Sequence, residues 1–563
     1  MYSGDRYLAD ALAACGATHF FHVPLLLPGA VKAMQAAGVL PVVAHGEKAA
    51  AYMADGYARA SGRIGLCGAQ QIGAANLAAG LLDALMARSP VLALTGGSTA
   101  ATRDRNQYQE VDQQPIFAGL TKMTSRIDLV SRLPDMLGQA MRVATGGAPG
   151  PVHLELAGFT GGVLNDPMDP APLPDPAFAS CPAVRHAAPA ADIRRAADLL
   201  RHAMRPVVIA GSGIRASGAQ EALAAFVRRH RLPLATSLDA KAVLRESDPL
   251  SLGVCGIYSR EAANRAVSEA DLVLFVGTMA GSMTTTGWKV PQPGVAAMQI
   301  DVDARELGRN YPLQAALCGD PKTILEQFSA ALTDMPVRRD WLRHVEELRA
   351  DWTQAAAPAE MLDALPIRPE RLCRILSEEL PEGALLVVDT GHAAAWAARH
   401  IYLDRRGQGL LRAAGSLGWS YPASLGAKCA QPDRPVLCFT GDGGFLYHMS
   451  EMETARRYGI NTVTIVSNNN GLSQEKPVWA DNTDHDHHWR FSPVDYAAAA
   501  RAFGCKSCRI ERPGELGPAL RSAIKEDAPV IVEVMTDILA LHPPAWTPSD
   551  PARFYQGDWL RSE

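Results

Sequence analysis

No apolar run in these 563 residues reaches the roughly 18 needed to cross a bilayer, so the chain reads as one without a spanning helix. Basic residues never cluster five or more together, and a net charge of −5 with a pI near 6.3 argues against nucleic acid as a partner. The start, Met1-Tyr2-Ser3-Gly4-Asp5-Arg6, lacks the basic-then-apolar order of a signal peptide. The ten cysteines are scattered through apolar segments, which suits reduced thiols better than a disulfide framework. Cys505 and Cys508 form a Cys-x-x-Cys, but Lys506-Ser507 between them reads as strand, so the pair reads as structure rather than as a redox or zinc site. These absences together lead us to expect a cytoplasmic protein with no membrane and no nucleic-acid partner. What is present is an apolar content of 48%, enough for three ordinary domains with ample core.

Two shifts in composition divide the chain. Residues 166–191 hold Pro167, Pro170, Pro172, Pro174, Pro176, Pro182 and Pro189, a density that regular structure does not tolerate. Residues 335–366, with Pro336, an Ala-rich stretch and Pro366, read as a second linker. Between them, short Val/Ile/Leu runs alternate with amphipathic stretches, the pattern of parallel sheets covered by helices. The expected fold class is therefore α/β, with three parallel-sheet domains at 1–166, 190–335 and 366–545 and a tail at 546–563.

The third block carries the most specific signal. Residues 435–440 read as a buried strand running into Gly441-Asp442-Gly443-Gly444, residues 445–458 as a crossover helix, and residues 462–466 as a second strand ending at Asn468-Asn469-Asn470-Gly471. Glycines let a backbone approach an anion closely, and the carboxylate of Asp442 with the side-chain carbonyl of Asn469 are hard oxygen donors that suit Mg²⁺. A Gly-Asp-Gly, a spacer of this length and an Asn-Asn resemble the signature of thiamine diphosphate enzymes, acetolactate synthase-like in particular. The resemblance covers nearly the whole chain, and implies that the three domains are pyrimidine-binding, central and diphosphate-binding. It implies thiamine diphosphate and Mg²⁺ as cofactors, with Gly441, Asp442, Gly443, Gly444, Asn469 and Gly471 around the diphosphate and Asp442, Asn469 and Gly471 on the metal. Gly391 and His392, after the strand-like 386–389, fall where relatives touch the diphosphate. Ser416 and Leu417 fall in the segment whose apolar side chain wedges between the two rings of the cofactor, where acetolactate synthases usually carry Met.

The first block resembles the same family through His45-Gly46-Glu47 and the helix-like run to Tyr57-Ala58-Arg59. The resemblance implies that Glu47 hydrogen-bonds N1′ of the aminopyrimidine and promotes the imino tautomer that takes the C2 proton. Such a carboxyl works best away from water, and Ala49, Ala50 and Met53 supply apolar neighbours. Gly46 intrudes where the family usually has His and Glu adjacent, so no role for His45 carries over. Gln107-Tyr108-Gln109-Glu110-Val111-Asp112 and Thr121-Lys122 resemble the family's substrate side. Gln109 would then aim an amide at the reacting carbonyl, and Lys122 attract a carboxylate or phosphate. Two segments depart from the family: Gln70-Gln71-Ile72-Gly73 replaces a Ser-Gly-Pro-Gly, and Val23-Pro24-Leu25-Leu26-Leu27-Pro28-Gly29 replaces a Gly-x-Pro-Gly-Gly loop. Both suggest a more apolar acceptor pocket.

In the central block, Ala210-Gly211-Ser212-Gly213 is a strand-to-glycine turn that fits a nucleotide, though a lone Gly-x-Gly is weak. Gly277-Thr278-Met279 lacks the arginine that FAD-binding relatives show, which weighs against FAD and leaves ADP or the nucleotide of coenzyme A open. Asp484-His485-Asp486-His487-His488-Trp489 reads as a loop over the site rather than a metal centre, and Phe554 to Trp559 as a lid or a free end. The overall expectation is a thiamine diphosphate- and Mg²⁺-dependent lyase or carboligase acting on a 2-oxo acid or related carbonyl compound. The alternatives are a 2-hydroxyacyl-CoA lyase or an oxalyl-CoA-type decarboxylase, and a non-catalytic thiamine diphosphate-binding protein. Family members place the active site at a subunit interface, so a homodimer or homotetramer is expected.

Overall fold

The computed structural model describes residues 2–478 and 487–549. Three six-stranded sheets follow one another along the chain, and every strand pair within them is parallel. The first sheet comprises β1 (His19–His22), β2 (Leu40–Val43), β3 (Gly65–Ala69), β4 (Val91–Gly97), β5 (Met123–Ile127) and β6 (Val152–Ala157), in the order 2-1-3-4-6-5. The second comprises β7 (Pro206–Ala210), β8 (Leu234–Thr236), β9 (Ser251–Val254), β10 (Leu272–Val276), β11 (Ala296–Asp301) and β12 (Leu313–Cys318), in the order 12-11-10-7-8-9. The third comprises β13 (Leu385–Val388), β14 (Gly409–Arg412), β15 (Val436–Gly441), β16 (Val463–Asn468), β17 (Lys506–Ile510) and β18 (Val530–Met535), in the order 14-13-15-16-18-17. The outer sheets thus share one topology, whereas the middle sheet has the order of dinucleotide-binding folds. Helices cover both faces, which is why β4 and β6 are buried at every residue.

Helix Glu47–Ser61 of the first block packs along helix Ser420–Ala430 of the third, with Gly56 against the Ala423 carbonyl and Gly426 against the Met53 carbonyl. A Cβ at either glycine would collide with backbone, so the two outer domains meet at a distance only glycine permits.

Three expectations about segments need correction. Residues 335–366 are no simple linker: Arg339–Glu360 is a helix of 22 residues, with Trp341, Val345 and Leu348 buried against the central core. Their spacing, and the high helix propensity of the Ala-rich stretch, outweigh Pro358, which falls in the last turn. Residues 445–458 are two helices, Asp442–Leu446 and Glu451–Tyr458, separated by turns in which Tyr447 and His448 bond back three residues. The break coincides with tertiary packing: a Cβ on Gly418 would run into Tyr447, so the turn sits against a glycine, and the His448 ring meets Tyr52 edge-on at 5.6 Å. Residues 166–191 do lack long elements, but they are not free between blocks: Tyr7 donates to Pro172 O at 2.8 Å and Cys181 N to Gly62 O at 2.7 Å on the first block, while Arg185 pairs with Asp320 and Ala188 bonds Gln327 on the central one.

The first sheet also holds a buried imidazole. His153 on β6 stacks on Phe117 at 3.6 Å and meets Thr95 Oγ1 at 2.7 Å and Thr124 Oγ1 at 2.8 Å. Burial lowers its pKa to about 3. The unfolded chain therefore takes up this proton near pH 6.5 and the native state does not, so His153 contributes stability above pH 6.5 that is lost as pH falls toward 3. Urea titrations of the wild type and His153→Gln should show the stability gap narrowing by about 1.4 kcal/mol per pH unit between pH 6 and 4. A gap independent of pH would show that the buried ring is not held neutral.

Candidate active site

Strand β15 ends at Gly441, whose extended backbone starts the short helix Asp442–Leu446, and β16 ends beside it at Asn468. Both strand ends therefore deliver their next residues to one cleft, as expected at the carboxyl edge of a parallel sheet. Asp442 is buried, and its carboxylate accepts the Gly471 N–H at 2.9 Å. Burial raises its pKa to about 7, because the bond from Gly471 and neighbouring amides only partly replace lost hydration.

The three asparagines do different work. Asn468 is fully buried and structural, donating to Glu533 Oε1 at 2.7 Å and accepting the Asn470 N–H at 3.0 Å. Asn469 donates to Ser473 Oγ at 3.1 Å, and its buried Oδ1 has no hydrogen-bond partner. Asn470 turns the chain at φ 58°, so that Gly471 can reach Asp442 and bridge Arg490. A Cβ on Gly471 would run into the Trp489 carbonyl.

A cavity of about 280 Å³ lies over these groups. Its wall includes Gly391, His392, Leu417, Gly441, Asp442, Gly443, Gly444, Asn469 and Gly471, so most of the expected cofactor residues converge. His392 meets Ser473 Oγ at 2.8 Å through Nδ1, and burial lowers its pKa to about 4, leaving the ring neutral at pH 7. Ser473 thus links His392 to Asn469, a role with no signal in the sequence. Asp389 was missed in the same way. It accepts the backbone N–H of Gly418 and of Ser420 at 3.0 Å each and the Ser420 hydroxyl at 2.6 Å, fixing the far end of the Leu417 loop.

The Asp442 carboxylate, which accepts the Gly471 N–H, and the orphaned Asn469 Oδ1 are hard oxygen donors in the wall of one cavity, which fits a divalent cation such as Mg²⁺. Gly441 leaves open space where a Cβ would point, as a diphosphate cradle requires.

Other expected residues lie elsewhere. Glu47 is the first residue of helix Glu47–Ser61, half-buried, with Asn76 Nδ2 donating to its carboxylate at 3.3 Å. Gln109 sits at φ 64°, and its Oε1 accepts Gln70 Nε2 at 2.8 Å. Neither lines the cavity around Asp442. Ser416 adjoins Leu417 but faces the first domain, through its N–H on Asp83. Lys122 does not reach out to an anion: Nζ donates to the carbonyls of Val143 (2.5 Å), Gly146 (2.9 Å) and Ala148 (2.7 Å), so it caps the C-terminal end of helix Leu133–Thr145. His45 pairs with Glu453 at 2.7 Å. Of the His-rich segment, Asp484, His485 and Asp486 fall outside the described residues, while residues 489–491 return to pair with residues 470–472 beside the cavity. The stretch from Phe554 to Trp559 also lies outside the described residues. Cys505 is buried and Cys508 half-buried.

A second cleft, about 290 Å³, opens at the switch point of the middle sheet, between Gly211-Ser212-Gly213 after β7 and Gly277-Thr278-Met279 after β10. Its two arginines are taken: Arg88 by Asp303 and Glu306, and Arg412 by Asp239. Among the described residues no helix is long and apolar enough to cross a membrane.

Three family models match in order along the chain. They are the N-terminal TPP binding domain of thiamine pyrophosphate enzymes at residues 2–116, the central domain at 193–328 and the C-terminal TPP binding domain at 389–534. A probable acetolactate synthase large subunit of Methanocaldococcus jannaschii is 31% identical over 95% of this chain and 92% of its own length. The acetolactate synthase isozyme 2 large subunit of Escherichia coli (strain K12) is 28% identical over 95% and 96%. A putative thiamine pyrophosphate-containing protein, YdaP, of Bacillus subtilis is 27% identical over 87% and 83%.

Proposed function

Because this chain belongs to the thiamine pyrophosphate enzymes, on their acetolactate synthase-like side, we propose that it is a Mg²⁺-dependent carboligase that joins two 2-oxo acids with loss of CO₂. The observation that carries the reading is the unpartnered, buried Asn469 Oδ1 in the wall of the same cavity as the Asp442 carboxylate. Asp442, Asn469 and the backbone of Gly471 would hold Mg²⁺, and Gly441, with open space where a Cβ would point, would let the diphosphate close on the strand ends beside the Gly443-Gly444 backbone. Bound thiamine diphosphate supplies the electron sink for breaking and making a C–C bond next to a carbonyl. Leu417 presents an apolar side chain to the cavity and would set the angle between the rings. Glu47 would hold the proton at pyrimidine N1′. Gln70 occupies the carbonyl of Gln109, so the Gln109 amide N–H₂ is the donor left for a substrate carbonyl. Holding Gln109 at a positive φ costs strain of order 1 kcal/mol, the kind retained where a side chain must be aimed.

Incubating the protein, loaded with thiamine diphosphate and Mg²⁺, with 2-oxo acids should yield a 2-hydroxy-3-oxo acid and one CO₂ per product, detected by mass spectrometry. Aldehyde and CO₂ alone would replace the reading with a decarboxylase. Turnover of CoA thioesters instead would favour a 2-hydroxyacyl-CoA lyase, a reading kept because Leu25 and Ile72, in the two departing segments, are 69% and 57% exposed. The central cleft is where ADP or FAD would bind.

Since Glu47 and Gln109 stand apart from the cavity of their own chain, the site needs a second copy, and we expect a homodimer or homotetramer. Cofactor bridging two copies stabilises the assembly by mass action, about 2.7 kcal/mol at a hundredfold excess over Kd. Sedimentation should show dissociation at a lower concentration with thiamine diphosphate and Mg²⁺ than without. A fully active monomer would refute the shared site.

A further inference from the structure

Outside the cavity, a buried charge cluster ties the first domain to the loop that carries Leu417. Asp83, in helix Ala74–Met86, is 0% exposed. Its carboxylate accepts the backbone N–H groups of Ala414 at 2.9 Å, Gly415 at 3.2 Å and Ser416 at 3.0 Å. It also accepts Arg59 at 2.7 Å. Arg59 lies on the helix that Glu47 opens. It grips Asp55 through two bonds of 2.8 and 2.5 Å and donates to the Arg412 carbonyl at 2.7 Å. Asp55 in turn accepts the Trp419 indole N–H at 2.8 Å.

Asp55 and Asp83 share the guanidinium of Arg59, and between them they also accept three amide N–H groups and one indole N–H, all within residues 414–419. A buried charge needs such donors, and charge-assisted bonds are the stronger kind. Asp389 holds the same loop from the third domain, at Gly418 and Ser420. Leu417 is therefore the residue between two carboxylate grips, and it is the one that lines the cavity.

We propose that Asp83 is a positioning residue for the reaction: from the first domain, it sets the path of residues 414–416 and so the depth at which Leu417 enters the cofactor cavity. The proposal rests on the reading of that cavity as a thiamine diphosphate site, and it adds a connection no motif announced. The helix bearing Glu47 and the loop bearing Leu417 share one charge cluster, so the two are fixed relative to each other within one chain.

The test uses full-length Asp83→Asn and Asp83→Ala, each alone and combined with Leu417→Ala. Amide hydrogen exchange should quicken at least about a hundredfold at Ala414, Gly415 and Ser416, while helix Ser420–Ala430 keeps its protection. Thiamine diphosphate affinity, titrated by calorimetry in the presence of Mg²⁺, should weaken about tenfold. In the Leu417→Ala background the further loss should fall below about threefold, because both changes remove one arrangement. Independent losses that multiply in full, or a fall in melting temperature with cofactor affinity unchanged, would make Asp83 a domain fastener only and overturn the proposal. Should Asp83→Ala fail to fold, Asp83→Asn, which keeps the volume, decides. If the wild type does not bind thiamine diphosphate, the proposed function fails, whereas the grip is still judged by exchange at 414–416, where unchanged protection overturns it.

Discussion

Asp442→Ala should lose thiamine diphosphate retention in the presence of Mg²⁺, with an affinity drop of at least about a hundredfold in calorimetry, or roughly 3 kcal/mol. The residue has two duties. It is the charged oxygen of the proposed metal pair, and it is the acceptor for the Gly471 N–H at 2.9 Å that folds the 470–471 turn over the cavity. Alanine removes both. Asp442→Asn should fall between, since its side-chain oxygen still accepts Gly471 but brings no charge to the metal. Without cofactor, Asp442→Asn should melt no lower than wild type at pH 8, because a carboxylate whose pKa burial raises to about 7 is a cost in the apo protein. Wild-type affinity in Asp442→Ala would mean that the strand-end glycines hold something else.

The second large effect belongs to Glu47. Glu47→Gln should keep cofactor affinity within a few fold and lose about a hundredfold or more in kcat, the range for removal of a positioned acid or base. The amide preserves shape and one hydrogen bond, and Asn76 can still approach it, but it cannot exchange a proton with the pyrimidine ring. Exchange of the cofactor C2 proton, followed by NMR, should slow in parallel. Were exchange and turnover both at wild-type rates, Glu47 would be merely the first residue of its helix.

The proposed site takes its two halves from different copies, a reading the sequence carries only through family resemblance. The structure adds a physical reason. Helix Glu47–Ser61 is locked on helix Ser420–Ala430 of its own chain by glycine contacts, and Glu47 is absent from the wall of that chain's cavity. The Arg59 cluster adds a second restraint on the same helix. Closure onto the chain's own diphosphate site would have to break both.

The sequence alone determined the parallel α/β class, because strands buried on both faces read as short unbroken apolar runs between amphipathic helices. It also brought Gly441, Asp442, Gly443, Asn469 and Gly471 to one cavity, since they sit within one βαβ unit, where chain spacing and spatial spacing nearly coincide. What tertiary structure decided involves partners far apart in the chain. Lys122 looked like an anion hook and became a cap on carbonyls 21 to 26 residues away. Asn468 and Asn469 look alike in sequence, and the partners of Asn468, Glu533 on β18 and Val494, separate the buried strut from the unpartnered carbonyl. The helix expected at 445–458 is broken at the turn where His448 packs on Tyr52 and Tyr447 sits over Gly418. Asp83 gained its role from three amides more than 300 residues downstream. Periodicity and turn chemistry act over a few residues and are written locally, whereas burial and hydrogen-bond satisfaction depend on which distant groups the packed domains bring to the same place.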